Sequence, residues 1–486
     1  MSLRYSPYIQ LQKTQSKSYR ILVFMLLMVD IAVSCKKFVT IDPPVSQTVS
    51  ANVFNNASSA TSALLNIYQQ MYQNSASYNI SVSNGLLSDE LTYSGSNNVQ
   101  NIQYYTNSMS ALSGDLGPWS TAYQYIYQAN AIIENLSNNS LSPLIVKQLT
   151  GEAKFVRAFW TFYLTNFYGD IPLVLSTDYN INAVMPRMPQ NQVYRQIITD
   201  LENAKSLLND HFVDGTDTSV TSERVRPTQW AAEALLARTY LYMQKYDSAE
   251  MYATQVINNA LFRLPALDSV FLANSPEAIW QLATPLTSGS NNGTNTQDGH
   301  FFILTGAGDI QVSSRLVNAF ESGDTRLNKW IGSITANNPS VTYYFPFKYK
   351  IRNDPNPSNT EEYTMVLRLG EQYLIRAEAR AQQANIDGAK SDLDMIRMRA
   401  GLGSTTAGDK TALLSAILHE RQAELFTEWG HRWLDIVRTG SADSIMGTPG
   451  NVCQTKGGTW NSNWQLYPIP QGERNNDPSL TQNNGY

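Results

Sequence analysis

Two helix-turn-helix segments in which small residues recur at matching positions constrain the fold of this chain more than any other feature. The first, residues 230–257, reads WAAEALLARTYLYMQKYDSAEMYATQVI, and the second, residues 370–401, reads GEQYLIRAEARAQQANIDGAKSDLDMIRMRAG. Ala237 and Ala249 are twelve residues apart, as are Ala377 and Ala389. Small residues at such positions let two helices approach closely, so each segment predicts a tightly packed helical pair.

The pattern resembles tetratricopeptide repeats, in which helical pairs stack on their neighbours. Ala237 and Ala377 are 140 residues apart, so the pairs do not form a tandem array, and an insertion at about 261–365 separates them. The predicted fold is mainly α. It has a helical body with tetratricopeptide-like helix pairs, at about 120–260 and 366–440, and a loop-rich, partly β insertion.

Apolar spacing predicts further elements. A helix that starts at Ala57 is expected from apolar residues at intervals of three and four, and others are expected at 144–168, 190–209, 228–243 and Leu413–Val437. Gly169 lies where a C-terminal glycine cap belongs. Within the insertion, AIWQLATPL and SVTYYFPFKY read as strands. Residues 74–118 read as a long irregular region, and such regions are often functional.

An apolar stretch near the start of the chain ends at a cysteine. Residues 4–20 are basic, and the fourteen residues 21–34 are mostly apolar. This length fits a signal-peptide core of about 7–15 residues better than a membrane span of about 20; a buried N-terminal helix is the alternative. AVSC resembles a bacterial lipobox. It predicts a lipoprotein signal peptide at 1–34, lipidated Cys35 at the start of a tether at 35–55, and a domain at 56–486.

Cys453 is the other of the two cysteines in the chain. The two could in principle form a disulfide. If Cys35 carries lipid, Cys453 has no partner in the chain, and a lone cysteine is more often a buried small residue than a nucleophile.

The charge balance argues against a nucleic-acid partner. The net charge is −5, and the first 34 residues contain four basic residues and one acidic residue, so the remainder carries −8. A domain of this charge repels phosphate backbones, and the sequence has no basic stripe.

No catalytic motif stands out, so the sequence favours binding without turnover. It has no glycine-rich phosphate loop and no nucleophile elbow, and its four histidines lack metal-ligand spacing. Glu420, Glu424 and Glu428 could form a catalytic row, but we interpret them as helix-surface pairs worth about 0.2–0.5 kcal/mol each, or as ion pairs locking the tail. No cofactor is predicted, and DPNPSN lacks the spacing of an EF-hand calcium loop.

Four long blocks resemble one family. They are GEAKFVRAFWTFYLTNFYGDIPLV, LRLGEQYLIRAEARAQ, ERQAELFTEWGHRWLDIVRTG and LYPIPQGERNNDPSLTQNNGY, and CKKFVTIDPP resembles the mature N-terminus of the same family. The blocks are similar to the SusD-like (RagB/SusD) family. The resemblance implies a lipoprotein on the outer face of the outer membrane that captures glycans, or sometimes other nutrients. It also implies a partner, a SusC-like TonB-dependent transporter, and a ligand site on irregular segments of one face.

Sugar recognition needs aromatic faces for the CH groups of the ring and polar side chains for its hydroxyls. The region 84–119 and the insertion supply both, although each aromatic residue could instead belong to the core. Trp119 fits a packing position at a helix start better than a ligand contact. The predicted ligand-binding residues are Asp89, Tyr93, Asn97, Asn98, Tyr104, Tyr105, Trp330 and Tyr344.

Two other functions remain open from the sequence. A helical-repeat scaffold that binds proteins or peptides would need only the helix pairs. A secreted glycan hydrolase would need two carboxylates about 5–10 Å apart across the sugar, a geometry that the sequence does not define.

Overall fold

The computed structural model describes residues 53–114, 116–137, 139–285, 294–335, 341–353 and 360–486. The predicted signal peptide, Cys35 and the tether up to residue 52 lie outside the described residues. Among the helices of the described ranges, none combines the length and apolarity that a membrane crossing requires.

Nineteen α-helices and six strands lie in the described residues, and we number them in chain order. The helices are α1 Ala57–Gln73, α2 Ala76–Leu87, α3 Val99–Tyr105, α4 Trp119–Leu136, α5 Pro143–Tyr168, α6 Tyr179–Asn182, α7 Gln190–Leu207, α8 Gln229–Tyr242, α9 Tyr246–Ile257, α10 Gln297–Phe302, α11 Ser314–Ala319, α12 Thr325–Trp330, α13 Leu369–Gln382, α14 Ile386–Arg399, α15 Lys410–Leu425, α16 His431–Arg438, α17 Ala442–Met446, α18 Val452–Thr455 and α19 Gln471–Asn476. The strands are β1 Leu91–Tyr93, β2 Ala278–Leu282, β3 Ile310–Val312, β4 Ile331–Thr335, β5 Thr342–Pro346 and β6 Thr364–Arg368.

The long helices form a continuous array in which each packs on the next. α4 packs on α5, α5 on α7, α7 on α8, α8 on α9, α9 on α13, and α13 on α14 and α15. The two predicted helix pairs are α8–α9 and α13–α14, and all four of their matched alanines are fully buried. Because α9 contacts α13 directly, the pairs are neighbours in space although the insertion separates them in the sequence. The predicted mainly helical fold is confirmed.

A buried ion pair fastens the two helix pairs together. The guanidinium of Arg238 on α8 donates to both carboxylate oxygens of Glu371 on α13, at 2.7 and 2.6 Å. Both side chains are about 2% exposed or less. Bidentate geometry of this kind offsets the loss of hydration that burial imposes on both charges.

The insertion contributes small antiparallel sheets. β1 pairs with β3, β2 with β6, and β4 with β5. Every residue of β2 is buried, which explains why AIWQLATPL reads as a continuous apolar run. Both predicted strands are confirmed as β2 and β5.

Two predicted elements are wrong in detail. Residues 74–118 are not irregular throughout, because they contain α2, β1 and α3. The sequence of α2 shows no helical periodicity because the helix is buried on nearly every side. Even its polar residues Ser77, Ser81 and Ser83 are buried, so it has no polar face that a sequence pattern could reveal. The helix predicted at Leu413–Val437 is divided into α15 and α16 by a break at which Thr427, Trp429 and Gly430 take positive φ.

The interpretation of the three glutamates as helix-surface pairs is also wrong. Glu420, Glu424 and Glu428 are buried, and their partners come from other elements. Glu424 binds Arg326 of α12 at 2.9 Å and Arg368 of β6 at 2.6 Å. Glu428 binds Arg368 as well. We call these three carboxylates and their cationic partners Arg326, Lys348, Arg368 and Arg399 the buried ion cluster. It joins the insertion to the C-terminal helices.

Candidate functional site

A cavity of about 390 Å³ lies between α2, α3 and the start of α4. This volume is within the range of about 300–1,000 Å³ that is usual for small-molecule sites. We call it the α2–α3 cavity. Its polar and aromatic lining consists of Asn74, Tyr78, Asn79, Ser83, Asn98, Gln100, Asn101, Tyr104, Thr121, Tyr125 and Trp160.

An aromatic group stands at the α2 side of this cavity. The ring of Tyr78 lies 4.8 Å from the ring of Phe301 at an interplanar angle of 34°, and 4.8 Å from that of Phe302. Phe302 is buried and anchors the group, whereas Phe301 is 47% exposed. Phe301 is not among the lining residues, but it contacts Tyr78, which lines the cavity. A large aromatic ring left this exposed offers a flat apolar face to a ligand.

The other wall is built by α3. The side chain of Asn98 caps this helix by accepting a hydrogen bond from the backbone N–H of Asn101 at 3.0 Å. The cap places Gln100 and Asn101 on the cavity wall. Within the described part of the chain, no hydrogen bond occupies either side-chain amide. Both amides are therefore open to donate to and accept from a ligand.

Tyrosines support the base of the cavity in their neutral form. Burial, aided by the charge of Asp298, raises the pKa of Tyr78 to about 12, and burial raises that of Tyr125. The hydroxyl of Tyr125 accepts a hydrogen bond from the Asn74 amide at 3.0 Å. The hydroxyl of Tyr104 accepts one from the Gly117 N–H at 2.8 Å, which ties α3 to the loop before α4.

The structure brings several of the sequence-predicted residues together here. Asn98 and Tyr104 line the cavity, and exposed Asn97 precedes the cap. Tyr93 is a buried support, since its hydroxyl accepts the Asn98 N–H at 3.3 Å. Tyr105 is half-buried, with the Lys456 ammonium 5.5 Å from its ring centroid, and it is not among the lining residues.

Three other candidates lie outside the cavity. Asp89 is buried and accepts two hydrogen bonds from Arg432, at 2.8 and 2.7 Å, so its carboxylate is committed to an internal ion pair. Trp330 is fully buried, and its indole N–H donates to the Leu267 carbonyl. Neither side chain offers a surface to a ligand. Tyr344 is 40% exposed on β5, which packs beside β3, the strand whose Ile310 lines the cavity.

Sequence reasoning missed Tyr78, Asn79, Gln100, Asn101 and Phe301. Tyr78 and Asn79 belong to α2, a helix that was not predicted because residues 74–118 were read as irregular. Phe301 comes from α10, far along the chain from α2, so no local pattern connects it to Tyr78. Trp119 packs in the core at the first turn of α4, as predicted.

Cys453 and His431 are both buried side chains. Within the described ranges, no group of three or more His, Cys, Asp or Glu side chains is placed to hold a metal ion. Cys453 is a buried thiol, as predicted. His431 is also buried, and burial, aided by the surrounding arginines, lowers its pKa well below the usual value.

Comparison with known proteins gives a consistent result. A model described as the SusD family matches residues 328–486, and one described as starch-binding and associating with the outer membrane matches residues 37–241. A SusD-like protein from Formosa agariphila is 27% identical over 420 residues, covering 76% of this chain and 80% of the relative.

Solved structures share the fold. A SusD superfamily protein from Bacteroides vulgatus has a TM-score of 0.76 at 20% identity, covering 89% of this chain and 100% of that chain. A laminarin-binding SusD-like protein has a TM-score of 0.70 at 22% identity, covering 88% and 99%. At these identities the structural likeness shows the fold alone.

One matching family model is described as starch-binding, and one structural neighbour is described as laminarin-binding. The helical array, the two matching family models and the relative aligned over most of its length lead to one assignment. This chain belongs to the SusD-like (RagB/SusD) family.

Proposed function

We propose that this protein binds oligosaccharides or polysaccharides at the outer membrane and delivers them to a SusC-like TonB-dependent transporter. The observation that carries the proposal is the α2–α3 cavity, whose lining combines tyrosine rings with side-chain amides that no hydrogen bond in the described part of the chain occupies. Among relatives, one matching family model is described as starch-binding and one structural neighbour as laminarin-binding. Both descriptions support a glycan as the ligand.

The cavity suits the two faces of a sugar. A pyranose ring has an apolar CH face, which packs against an aromatic ring, and hydroxyls at its edge, which need hydrogen-bond partners. Phe301 and Tyr78 supply the aromatic face. Gln100 and Asn101 supply the amides from the opposite wall. Asn97, Asn98 and Tyr104 extend the proposed contacts along α3, and Tyr344 is proposed as an outer contact for a longer ligand.

Replacing Tyr78 by Ala should weaken glycan binding at least about tenfold, or ~1.4 kcal/mol, because it removes the ring on which Phe301 rests.

Asn101→Ala should weaken glycan binding about fivefold, because it removes one hydrogen bond of ~1 kcal/mol. Calorimetric titration with starch and laminarin oligosaccharides measures both effects.

The matched control is Tyr179→Ala. Tyr179 is 78% exposed, and its segment packs on the C-terminal end of α4 through Thr177 and Glu134, whereas the cavity lies at the N-terminal end. This variant should bind as the wild type does. Equal losses in Tyr78→Ala and Tyr179→Ala would contradict the proposed site.

We also propose that Cys35 carries the lipid that holds the protein to the membrane. Each acyl CH₂ buried in the bilayer contributes about 0.8 kcal/mol, so several chains anchor stably. In fractionated cells, Cys35→Ala should move the protein from the membrane to the soluble fraction. Cys453→Ala is the control, because Cys453 is a buried thiol of the folded domain, and it should leave the distribution unchanged. Membrane retention of Cys35→Ala would rule out this anchor.

A further inference from the structure

The α2–α3 cavity is built without charge. Among the described residues that line it, none is Lys, Arg, His, Asp or Glu. Its polar groups are amides, hydroxyls and the Trp160 indole, and Tyr78 stays neutral because burial raises its pKa to about 12. Such groups match the hydroxyls of a sugar without bringing a net charge to the contact.

Two cations near the C-terminal end of α2 are engaged in internal hydrogen bonds. Lys456 donates its three ammonium hydrogen bonds to the carbonyls of Leu86, Leu87 and Ser88, at 2.7, 3.0 and 2.9 Å. These carbonyls belong to the C-terminal end of α2. Arg432 is held in its bidentate pair with Asp89. Neither group is available to neutralise a carboxylate or sulfate on a ligand.

Other ionisable side chains lie beside the lining and not in it. Asp298 lies behind α2 and accepts a hydrogen bond from the Ser77 hydroxyl at 3.0 Å, and burial raises its pKa to about 7, so it is only partly charged at neutral pH. The ring centroid of His300 lies 4.8 Å from that of Phe301, and Arg352 donates to the Ile303 carbonyl at 3.2 Å.

Exposed Asp309 adjoins Ile310 of the lining, and its backbone carbonyl accepts the Ser94 N–H at 2.9 Å. The chain after residue 34 carries a net charge of −8. An anionic polymer would therefore meet the net negative charge of the chain on approach and no cation among the residues that line the cavity on arrival.

We infer that this site selects uncharged glycans and rejects glycans that carry uronate or sulfate groups. The inference rests on the proposed glycan-binding function and specifies its substrate class. Moving a charged group from water into a cavity without a partner is strongly unfavourable. A neutral hydroxyl instead exchanges a hydrogen bond to water for one to an amide, with little net change in free energy. Charge exclusion thus gives the site its specificity.

The test compares one polymer with and without charge. Laminarin and starch oligosaccharides are titrated into the full protein beside chemically sulfated derivatives of the same preparations. We expect the neutral glycan to bind and its sulfated derivative to bind at least about tenfold more weakly. Affinity for the neutral glycan should change less than about twofold between roughly 50 and 500 mM NaCl, because salt screens only charge–charge attraction.

A gain-of-charge variant strengthens the test. Gln100→Lys places an ammonium on the exposed α3 wall and should improve binding of the sulfated derivative about tenfold at low salt, with the gain lost at high salt. Asn203→Lys adds the same charge to the exposed face of α7, away from the cavity, and should not produce the gain.

The outcomes separate the two proposals. Tighter binding of the sulfated derivative than of its neutral parent by the wild-type protein overturns the inference while leaving glycan binding intact. An equal gain in Gln100→Lys and Asn203→Lys overturns it too, because the effect would then come from net charge and not from the cavity. Failure of every neutral and sulfated glycan to bind overturns the proposed function and the inference with it.

Discussion

Glu424→Ala should lower the free energy of unfolding by about 3–5 kcal/mol, as expected when one member of a buried charge group is removed. Glu424 is fully buried and binds Arg326 at 2.9 Å, Arg368 at 2.6 Å, and Arg399. These three arginines hold the pKa of its carboxyl far below the usual value, against the effect of burial. Removing this carboxylate leaves the positive charges of the three buried arginines without enough negative charge nearby to balance them.

Denaturant-induced unfolding, followed by tryptophan fluorescence, measures this loss. The matched control is Asp268→Ala, which breaks the ion pair between Asp268 and Lys329. Their side chains are 57% and 41% exposed, and such surface pairs contribute about 0–1 kcal/mol. A Glu424→Ala variant no less stable than this control would show that the buried ion cluster is not what joins the insertion to the C-terminal helices.

Glu90→Gln should make the protein more stable at pH 8 but not at pH 5. Glu90 is 2% exposed. Its Oε2 accepts a long 3.3 Å hydrogen bond from the Thr427 N–H, and its Oε1 has no partner among the described residues. Burial, aided by the nearby charge of Asp89, raises the pKa of this carboxyl from 4.5 to about 8. The folded protein therefore keeps a proton that the unfolded chain releases.

The sign of the pH effect follows from this difference. Below about pH 4.5 both states hold the proton and Glu90 does not affect stability. Between pH 5 and 8 only the folded state holds it, so folding becomes less favourable as the pH rises. The glutamine is neutral and of the same shape, so the variant should gain on the order of 2–4 kcal/mol over the wild type at pH 8.

Unfolding curves at pH 5 and pH 8 test this expectation. Glu361→Gln removes an exposed carboxylate and should change stability by less than about 0.5 kcal/mol at either pH. Burial also raises the pKa of Asp298 and of Glu362 to about 7, so both the wild type and Glu90→Gln should lose some stability between pH 5 and pH 8. A gap between Glu90→Gln and wild type that does not grow with pH would refute the buried-carboxyl explanation.

The candidate site was only partly predictable from the sequence. The density of amides and aromatic residues pointed to the region around α3, and Asn98 and Tyr104 line the cavity there. Composition does not distinguish an aromatic ring at the surface from one in the core. Trp330 was therefore predicted as a ligand contact although it is fully buried. Asp89 was named because it is acidic and lies near that region, but Arg432, more than 300 residues later, binds it.

Local signals in the sequence were enough to predict most of the long helices. The matched alanines, the apolar spacing of the long helices and the glycine cap at Gly169 depend on neighbours a few residues apart. Helical periodicity records which face of a helix will be buried. The helix pairs and most helix boundaries could therefore be predicted to within a few residues.

Which distant groups meet depends on the tertiary structure. The contact between α9 and α13, the cationic partners of Glu424, and the approach of Phe301 to Tyr78 join segments that have no shared local pattern. α2 remained hidden because burial on all sides removes the polar face that periodicity needs. Burial also sets the charge state of Glu90 and leaves the α2–α3 cavity uncharged. Burial of this kind depends on the assembly of the whole domain and not on any single stretch of the chain.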